Sequence, residues 1–151
     1  MKQSAGILVY KNEDGRLLVF LVHPGGPFWA KKDAGAWSIP KGELAEDEDP
    51  LAAARREFEE ETGQSVNGKF VALAPCRQPS GKIVHPFAVE ANVDAERIVS
   101  NFFEMEWPPK SGRRQSFPEV DRGRWFTIDE ARGRLQPGQL PILEELRVQL
   151  T

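Results

Sequence analysis

The run Gly42-Glu43-Leu44-Ala45-Glu46-Asp47-Glu48-Asp49-Pro50-Leu51-Ala52-Ala53-Ala54-Arg55-Arg56-Glu57-Phe58-Glu59-Glu60-Glu61-Thr62-Gly63 decides how the chain is read. Asp49 and Pro50 supply an N-cap side chain and a first helical residue with its φ preset. The interior holds strong helix formers, and Gly63 suits a helical exit, so the spacing predicts a helix over 50–62. Leu51, Ala54 and Phe58 recur at three- and four-residue intervals and are expected to face the core. On an adjacent stripe Glu57, Glu60 and Glu61 stand at i, i+3 and i+4, where like charges destabilise a helix by about 0.2–0.5 kcal/mol a pair. A divalent cation would compensate them, because hard cations take oxygen ligands and bridge a few carboxylates to phosphate oxygens. The alternative is a solvated face in which Arg55 pairs with Glu59 and Arg56 with Glu60. That arrangement leaves Glu57 and Glu61 unpaired, and the helix alone leaves both readings open.

Ahead of this run, Ile7 to Tyr10 and Leu17 to Val22 are β-rich and separated by Asn12-Glu13-Asp14-Gly15, a hairpin signal. The stretch His23 to Ala36, rich in Gly, Pro and aromatics, follows neither period and reads as a long loop. After it, Lys69 to Ala74 and Lys82 to Val93 alternate around the turn Gln78-Pro79-Ser80-Gly81 and read as a second hairpin. Phe102 to Asp121 is interrupted by prolines and is expected to be irregular surface. Gly123 to Ile128 reads as a strand, Thr127 to Glu130 as a capping box opening a short helix, and Pro141 as the start of a last helix with a stripe of Ile142, Leu143, Leu146 and Leu150.

A chain of 151 residues with 40% apolar residues has the size of one globular domain; 1–151 is read as a single unit. No apolar run is long enough to span a bilayer, and the N-terminus lacks a signal-peptide layout, so no membrane partner is expected. One cysteine, Cys76, excludes an internal disulfide and suits a reducing, cytoplasmic location. The net charge of −3 gives no basic footprint for a nucleic-acid duplex, whereas a small phosphorylated ligand needs only a local cluster of cations. A homodimer is compatible with general symmetry arguments, but no interface patch is legible.

Gly42, five residues, Glu48, seven residues, then Arg56-Glu57-Phe58-Glu59-Glu60-Glu61-Thr62-Gly63 resembles the Nudix box, and all its fixed Gly, Glu and Arg positions are present. The lead-in Trp37-Ser38-Ile39-Pro40-Lys41-Gly42 is similar to the usual approach to that box. Phe58 and Gln64 depart from the aliphatic residues usual at their positions. The finer runs Ser4-Ala5-Gly6-Ile7-Leu8, HPGGPFW, FEMEWPP and FPEVDRGRWF resemble a bacterial group of Nudix pyrophosphohydrolases near the diadenosine polyphosphate hydrolases. The implied fold is an α/β (α+β) Nudix α/β/α sandwich with a mixed central sheet.

The resemblance implies that Glu57, Glu60 and Glu61, with the Gly42 carbonyl, hold magnesium, manganese being an alternative. Glu57 or Glu60 would accept the proton of the attacking water, and Arg56 would orient the glutamates, bracing the loop through Glu48. Glu119 is similar in placement to a further metal ligand or base, with Glu104 and Glu106 lesser candidates. For the substrate, a nucleotide with a phosphoanhydride, Lys41 and Lys82 are the first phosphate contacts and Arg113 and Arg114 are weaker ones. His85 is a candidate phosphate contact whose commoner role is packing, as for His23. Phe28, Trp29 and Trp107 are candidate stacking plates or ordinary packing. The expected activity is hydrolysis of a nucleoside diphosphate-linked substrate, dinucleoside polyphosphates such as diadenosine tetraphosphate first, with ADP-ribose, nucleotide sugars or nucleoside triphosphates as alternatives. A nucleotide-sensing module without turnover is the alternative from another class.

Overall fold

The computed structural model describes residues 2–150. Its elements in chain order are β1 (Gln3–Glu13), β2 (Arg16–Pro24), β3 (Lys41–Glu43), α1 (Pro50–Thr62), β4 (Val71–Ala72), β5 (Cys76–Arg77), β6 (Ile83–Glu90), β7 (Phe102–Glu106), β8 (Arg114–Pro118), β9 (Val120–Thr127), α2 (Ile128–Arg134) and α3 (Leu140–Gln149). The first hairpin forms as expected. Asp14 (φ 54°) and Gly15 (φ 78°) both take the left-handed conformation that a tight two-residue turn requires.

The central sheet runs β4-β6-β1-β2-β9 and is mixed. β1 and β6 are parallel, from Gln3 opposite Ile83 to Tyr10 opposite Glu90, while β2 is antiparallel to both β1 and β9. β3 adds to β1 antiparallel, Ala5 lying opposite Gly42. Alternation along β1 and β2 divides the core in two. Ala5, Ile7, Val9, Phe20 and Val22 pack with Ala53, Ala54 and Phe58 of α1. Leu8, Val19 and Leu21 pack on the other side with Trp37, Phe126, Ala131 of α2 and the Ile142, Leu143 and Leu146 face of α3. Two buried faces on one sheet require helices on both, which makes the α/β/α sandwich.

Phe58 is fully buried, as expected of a core-facing position, and meets Phe20 at 6.3 Å between ring centroids, so an aromatic ring fills the site where the family pattern usually has an aliphatic residue. Its burial contributes about 2–3 kcal/mol. Leu51 is only half-buried, and Ala53 takes the core position instead. Leu150 lies beyond α3 and is 42% exposed, so the last stripe ends at Leu146.

Phe102 to Asp121 is not irregular. It contains a two-stranded hairpin in which β7 and β8 pair from Phe102 opposite Pro118 to Glu106 opposite Arg114. Phe103, Met105 and Phe117 share its half-buried face, and Phe103 sets its ring against Gly26. No helix among the described residues is long and apolar enough to cross a membrane.

Candidate active site

Three local features bring the box residues together. Asp49 accepts the Ala52 N–H at 3.0 Å, and Gly63, at φ 73°, donates to the Glu59 carbonyl, so α1 starts and stops where its caps dictate. Gly6 lets β1 run against the segment before β3: a Cβ there would stand 2.7 Å from the Pro40 oxygen and the Lys41 Cβ. Ile7 donates to that Pro40 carbonyl at 3.1 Å, fixing the strand that carries Lys41 and Gly42 beside α1. Gly42 in turn lies against Glu57, and any Cβ on it would fall inside the carboxylate.

Glu57, Glu60, Glu61 and Glu119 line one cleft of about 330 Å³ with Lys41 and Gly42. Glu119 reaches it from the link between β8 and β9, held by its N–H to the Asn101 carbonyl and by its carbonyl from Gly25, both at 2.9 Å. A second lobe of about 220 Å³ shares Lys41, Glu61 and Glu119 and is walled by Val22, Ile39 and Val120, with Ser38 and Gln136 as polar rim. The predicted acids other than Glu104 and Glu106 therefore converge.

Burial and mutual repulsion set the electrostatics of Glu57, Glu61 and Glu119, outweighing the nearby cations. Burial, then the Glu57 and Glu119 charges, push Glu61 up to about 8 against the opposing Lys41 charge and backbone hydrogen bond. Burial and the Glu60 charge raise Glu57 despite Arg56, and the same two causes raise Glu119. Lys41 is lowered by burial and by the neighbouring Lys82, the cleft carboxylates opposing. Crowded acids of this kind, partly withdrawn from solvent, fit a hard divalent cation, and the missing Cβ of Gly42 lets the Glu57 carboxylate come up against the Gly42 backbone.

Arg56 is the brace. Its Nε and Nη2 donate to the two oxygens of Glu48 at 3.0 Å each, and Nη1 donates to Glu57 at 2.8 Å and Glu60 at 3.3 Å. Nη2 also reaches the Glu43 carbonyl at 3.2 Å. This fork, with the Ala45 N–H, holds Glu48 down at about 2 and pushes Arg56 up. Arg55 turns away to Asn67 at 3.1 Å and over the Phe70 ring, so the Arg55–Glu59 pair of a solvated face is not made. Among the described residues no three His, Cys, Asp or Glu side chains are drawn in to metal-holding distance.

The remaining candidates divide. Lys82 stands 3.6 Å from Glu43 at the edge of the cleft. His85 does not line either lobe: it is half-buried on β6 and its Nε2 meets the Gln3 Oε1 at 2.7 Å, a packing and hydrogen-bonding role. Trp29 is half-buried against the core beneath Lys32, whereas Phe28 is 59% exposed and packs edge-on against Trp107. Glu104 and Glu106 miss the cleft. Glu104 stands 3.9 Å from Arg114, and Glu106 accepts the Lys110 and Gly112 N–H groups in the hairpin turn. Arg113 and Arg114 are exposed on that hairpin. His23 is fully buried between Asp121 (2.9 Å) and the Lys32 carbonyl (2.6 Å), fastening the long loop to the sheet. Sequence reasoning missed Asn101 and Gln136, isolated polar residues in coil that carry no motif.

A mixed sheet between helical layers and a capped helix presenting its carboxylates beside Lys41-Gly42 define a hydrolase fold built around the box. The family model described as the NUDIX domain matches residues 1–146, and the chain belongs to that family: it is a NUDIX hydrolase. It is similar to the RNA pyrophosphohydrolase of Bartonella tribocorum, 29% identical over 148 residues that cover 85% of this chain and 77% of that protein. It also resembles the RNA pyrophosphohydrolase of Bartonella henselae, 39% identical over 66 residues, or 41% of this chain and only 35% of that relative's length. Two solved structures share the fold at 18% identity. They are the NUDIX domain of Shewanella oneidensis NrtR complexed with ADP ribose (TM-score 0.69, covering 99% of this chain and 88% of that one) and a C. elegans Ap4A hydrolase binary complex (TM-score 0.68, 97% of each).

Proposed function

We propose that the protein is a magnesium-dependent pyrophosphohydrolase that cleaves a phosphoanhydride bond in a nucleoside diphosphate-linked substrate, dinucleoside polyphosphates such as diadenosine tetraphosphate being the first choice. The observation that carries this reading is the single cleft in which Glu57, Glu60, Glu61 and Glu119 meet beside Lys41 and Gly42. Glu57, Glu60, Glu61, Glu119 and the Gly42 carbonyl are the oxygen donors that would hold magnesium, or manganese in its place. When bound, the ion neutralises phosphate charge, acidifies water and helps align attacking and leaving oxygens.

The chain's own residues supply the rest. Glu57 or Glu60 accepts the proton of the attacking water. Arg56 is a positioning residue: its bidentate grip on Glu48 fixes the guanidinium, which fixes both candidate bases. Lys41 meets a phosphate oxygen where the two lobes join, and the smaller lobe, where Val22, Ile39 and Val120 stand beside the polar Ser38 and Gln136, takes the organic part of the substrate. A free, buried Cys76 is consistent with a cytoplasmic location.

A second reading, hydrolysis of a phosphoanhydride carried by RNA, is favoured by the likeness to the Bartonella tribocorum protein across 85% of this chain. The test is chromatographic product analysis with magnesium and a panel of diadenosine tetraphosphate, ADP-ribose, a nucleotide sugar, nucleoside triphosphates and a 5′-triphosphorylated RNA oligonucleotide. Wild type is expected to cleave diadenosine tetraphosphate preferentially, and Glu60→Gln to fold normally and lose turnover. Preferential release of phosphate from the RNA would install the second reading. Turnover unaffected by Glu60→Gln would sink both.

A further inference from the structure

Beyond the carboxylate cleft lies a larger cavity of about 560 Å³, lined by Lys2, Arg77, Ser80, Gly81 and Lys82. It sits where β5 turns into β6 beside the start of β1. Hydrogen bonds from Gln78 to the Lys82 carbonyl and from Gly81 to the Gln78 carbonyl, both 2.8 Å, close the turn and fix Ser80 and Gly81 in the wall.

Charge sets this cavity apart in a chain whose net charge is −3. Three cations face it, and one carboxylate, Glu43, answers two of them, standing 3.6 Å from Lys2 and 3.6 Å from Lys82. Arg77 forms no ion pair among the described residues, so the cavity carries an uncompensated positive charge. Glu43 also lines the carboxylate cleft, and Lys82 is close enough to Lys41 for their like charges to be felt. The two sites are therefore neighbours linked through Glu43, and a chain of cations leads from Lys41 through Lys82 to Arg77 and Lys2.

We infer that Lys2, Arg77 and Lys82 form a second anion subsite that takes the phosphates of a polyphosphate chain lying beyond the bond under attack. For the ligand's identity this rests on the pyrophosphohydrolase reading. A diphosphate flanked by two sugars is used up inside the carboxylate cleft. A tri- or tetraphosphate chain carries further charge outward, and the cationic cavity next to the cleft can meet it. The subsite thus selects chain length, favouring long polyphosphates over simple diphosphate linkages.

The probes are inorganic pyrophosphate and tripolyphosphate, titrated calorimetrically into the full chain at low ionic strength without divalent cations, when the acidic cleft repels them. Wild type should bind tripolyphosphate the more tightly. Exposed charge contacts contribute roughly a 2- to 5-fold effect each, so Lys2→Ala/Arg77→Ala should bind it about 10-fold more weakly. Arg113→Ala/Arg114→Ala, on the distant hairpin, should stay within about 2-fold of wild type. Equal losses in the two double variants, or equal binding of the two probes, overturn the subsite. In the presence of magnesium, Lys2→Ala/Arg77→Ala should raise KM for diadenosine tetraphosphate relative to that for ADP-ribose; turnover with an unchanged KM ratio overturns the subsite alone. If wild type turns over nothing in the panel while the metal-free binding pattern holds, the pyrophosphohydrolase reading fails and the subsite stands.

Discussion

Replacing Glu61 by Gln should stabilise the metal-free protein at alkaline pH while removing its response to magnesium. Glu61 is raised from an ordinary 4.5 to about 8, chiefly by burial and then by the Glu57 and Glu119 charges. A carboxyl raised on folding keeps, between those two values, a proton that the unfolded chain has released. Its stabilising effect is complete below about 4.5 and lost as pH rises through about 8, with a slope of at most about 1.4 kcal/mol per pH unit. The full rise corresponds to about 5 kcal/mol. Solvent entering the open cleft screens the charges and brings the expected effect to about 2–3 kcal/mol.

In EDTA, denaturant titrations of wild type at pH 5.5, 7 and 9 should therefore show falling stability, and Glu57 and Glu119, raised for the same reasons, add to the trend. Glu61→Gln keeps the shape and removes the charge, so at pH 9 it should be the more stable protein by about 2–3 kcal/mol, or about 5–10 °C in Tm for a chain of this size. Magnesium should restore wild type and leave the variant unmoved. A wild type whose stability is flat from pH 5.5 to 9, or a variant less stable than wild type at pH 9, would refute the reasoning, because either means that Glu61 bears no uncompensated charge.

Gly42→Ala places a methyl group inside the Glu57 carboxylate; a cost of about 1–3 kcal/mol and at least a 100-fold fall in kcat/KM are expected, read by melting and steady-state kinetics. Arg56→Lys exchanges a fork that holds Glu48, Glu57 and Glu60 together for a single point charge. Magnesium titrations of its activity should show metal affinity about 10- to 100-fold weaker. Phe58→Ala should lose about 3–5 kcal/mol in denaturant unfolding, whereas Phe58→Leu should lose less than about 1.5.

What could be read in advance was what is local. Asp49, Pro50 and Gly63 bounded α1 correctly because caps act within one turn, and Thr127 with Glu130 forms the expected capping box for the same reason. The clustering of Glu57, Glu60 and Glu61 on one stripe was legible because the helix alone sets their spacing. Long-range register was not: nothing in Gln3 to Tyr10 announces that β6 will lie parallel to it. Proline also misled. Pro108, Pro109 and Pro118 made the stretch from Phe102 look broken, yet they fall in the turn and at the last residue of β8, leaving the alternation of Phe103, Met105 and Phe117 intact.

His85 takes its commoner packing role, outside the two lobes, for a related reason. Its strand was foreseen, but which neighbour it met depended on the parallel partner, and that partner's Gln3 took it. Gln64 shows how a departure from a family pattern is absorbed. Where an aliphatic residue would have packed, its amide donates to the Asp94 and Arg97 carbonyls and accepts the Asp94 N–H. That clamp ties the residue after α1 to the loop that leads toward Asn101, whose N–H bonds to the Glu60 carbonyl and whose carbonyl holds Glu119. A polar substitution at the end of the box helix therefore supports, through two short segments, the placement of the carboxylate that lies outside the box.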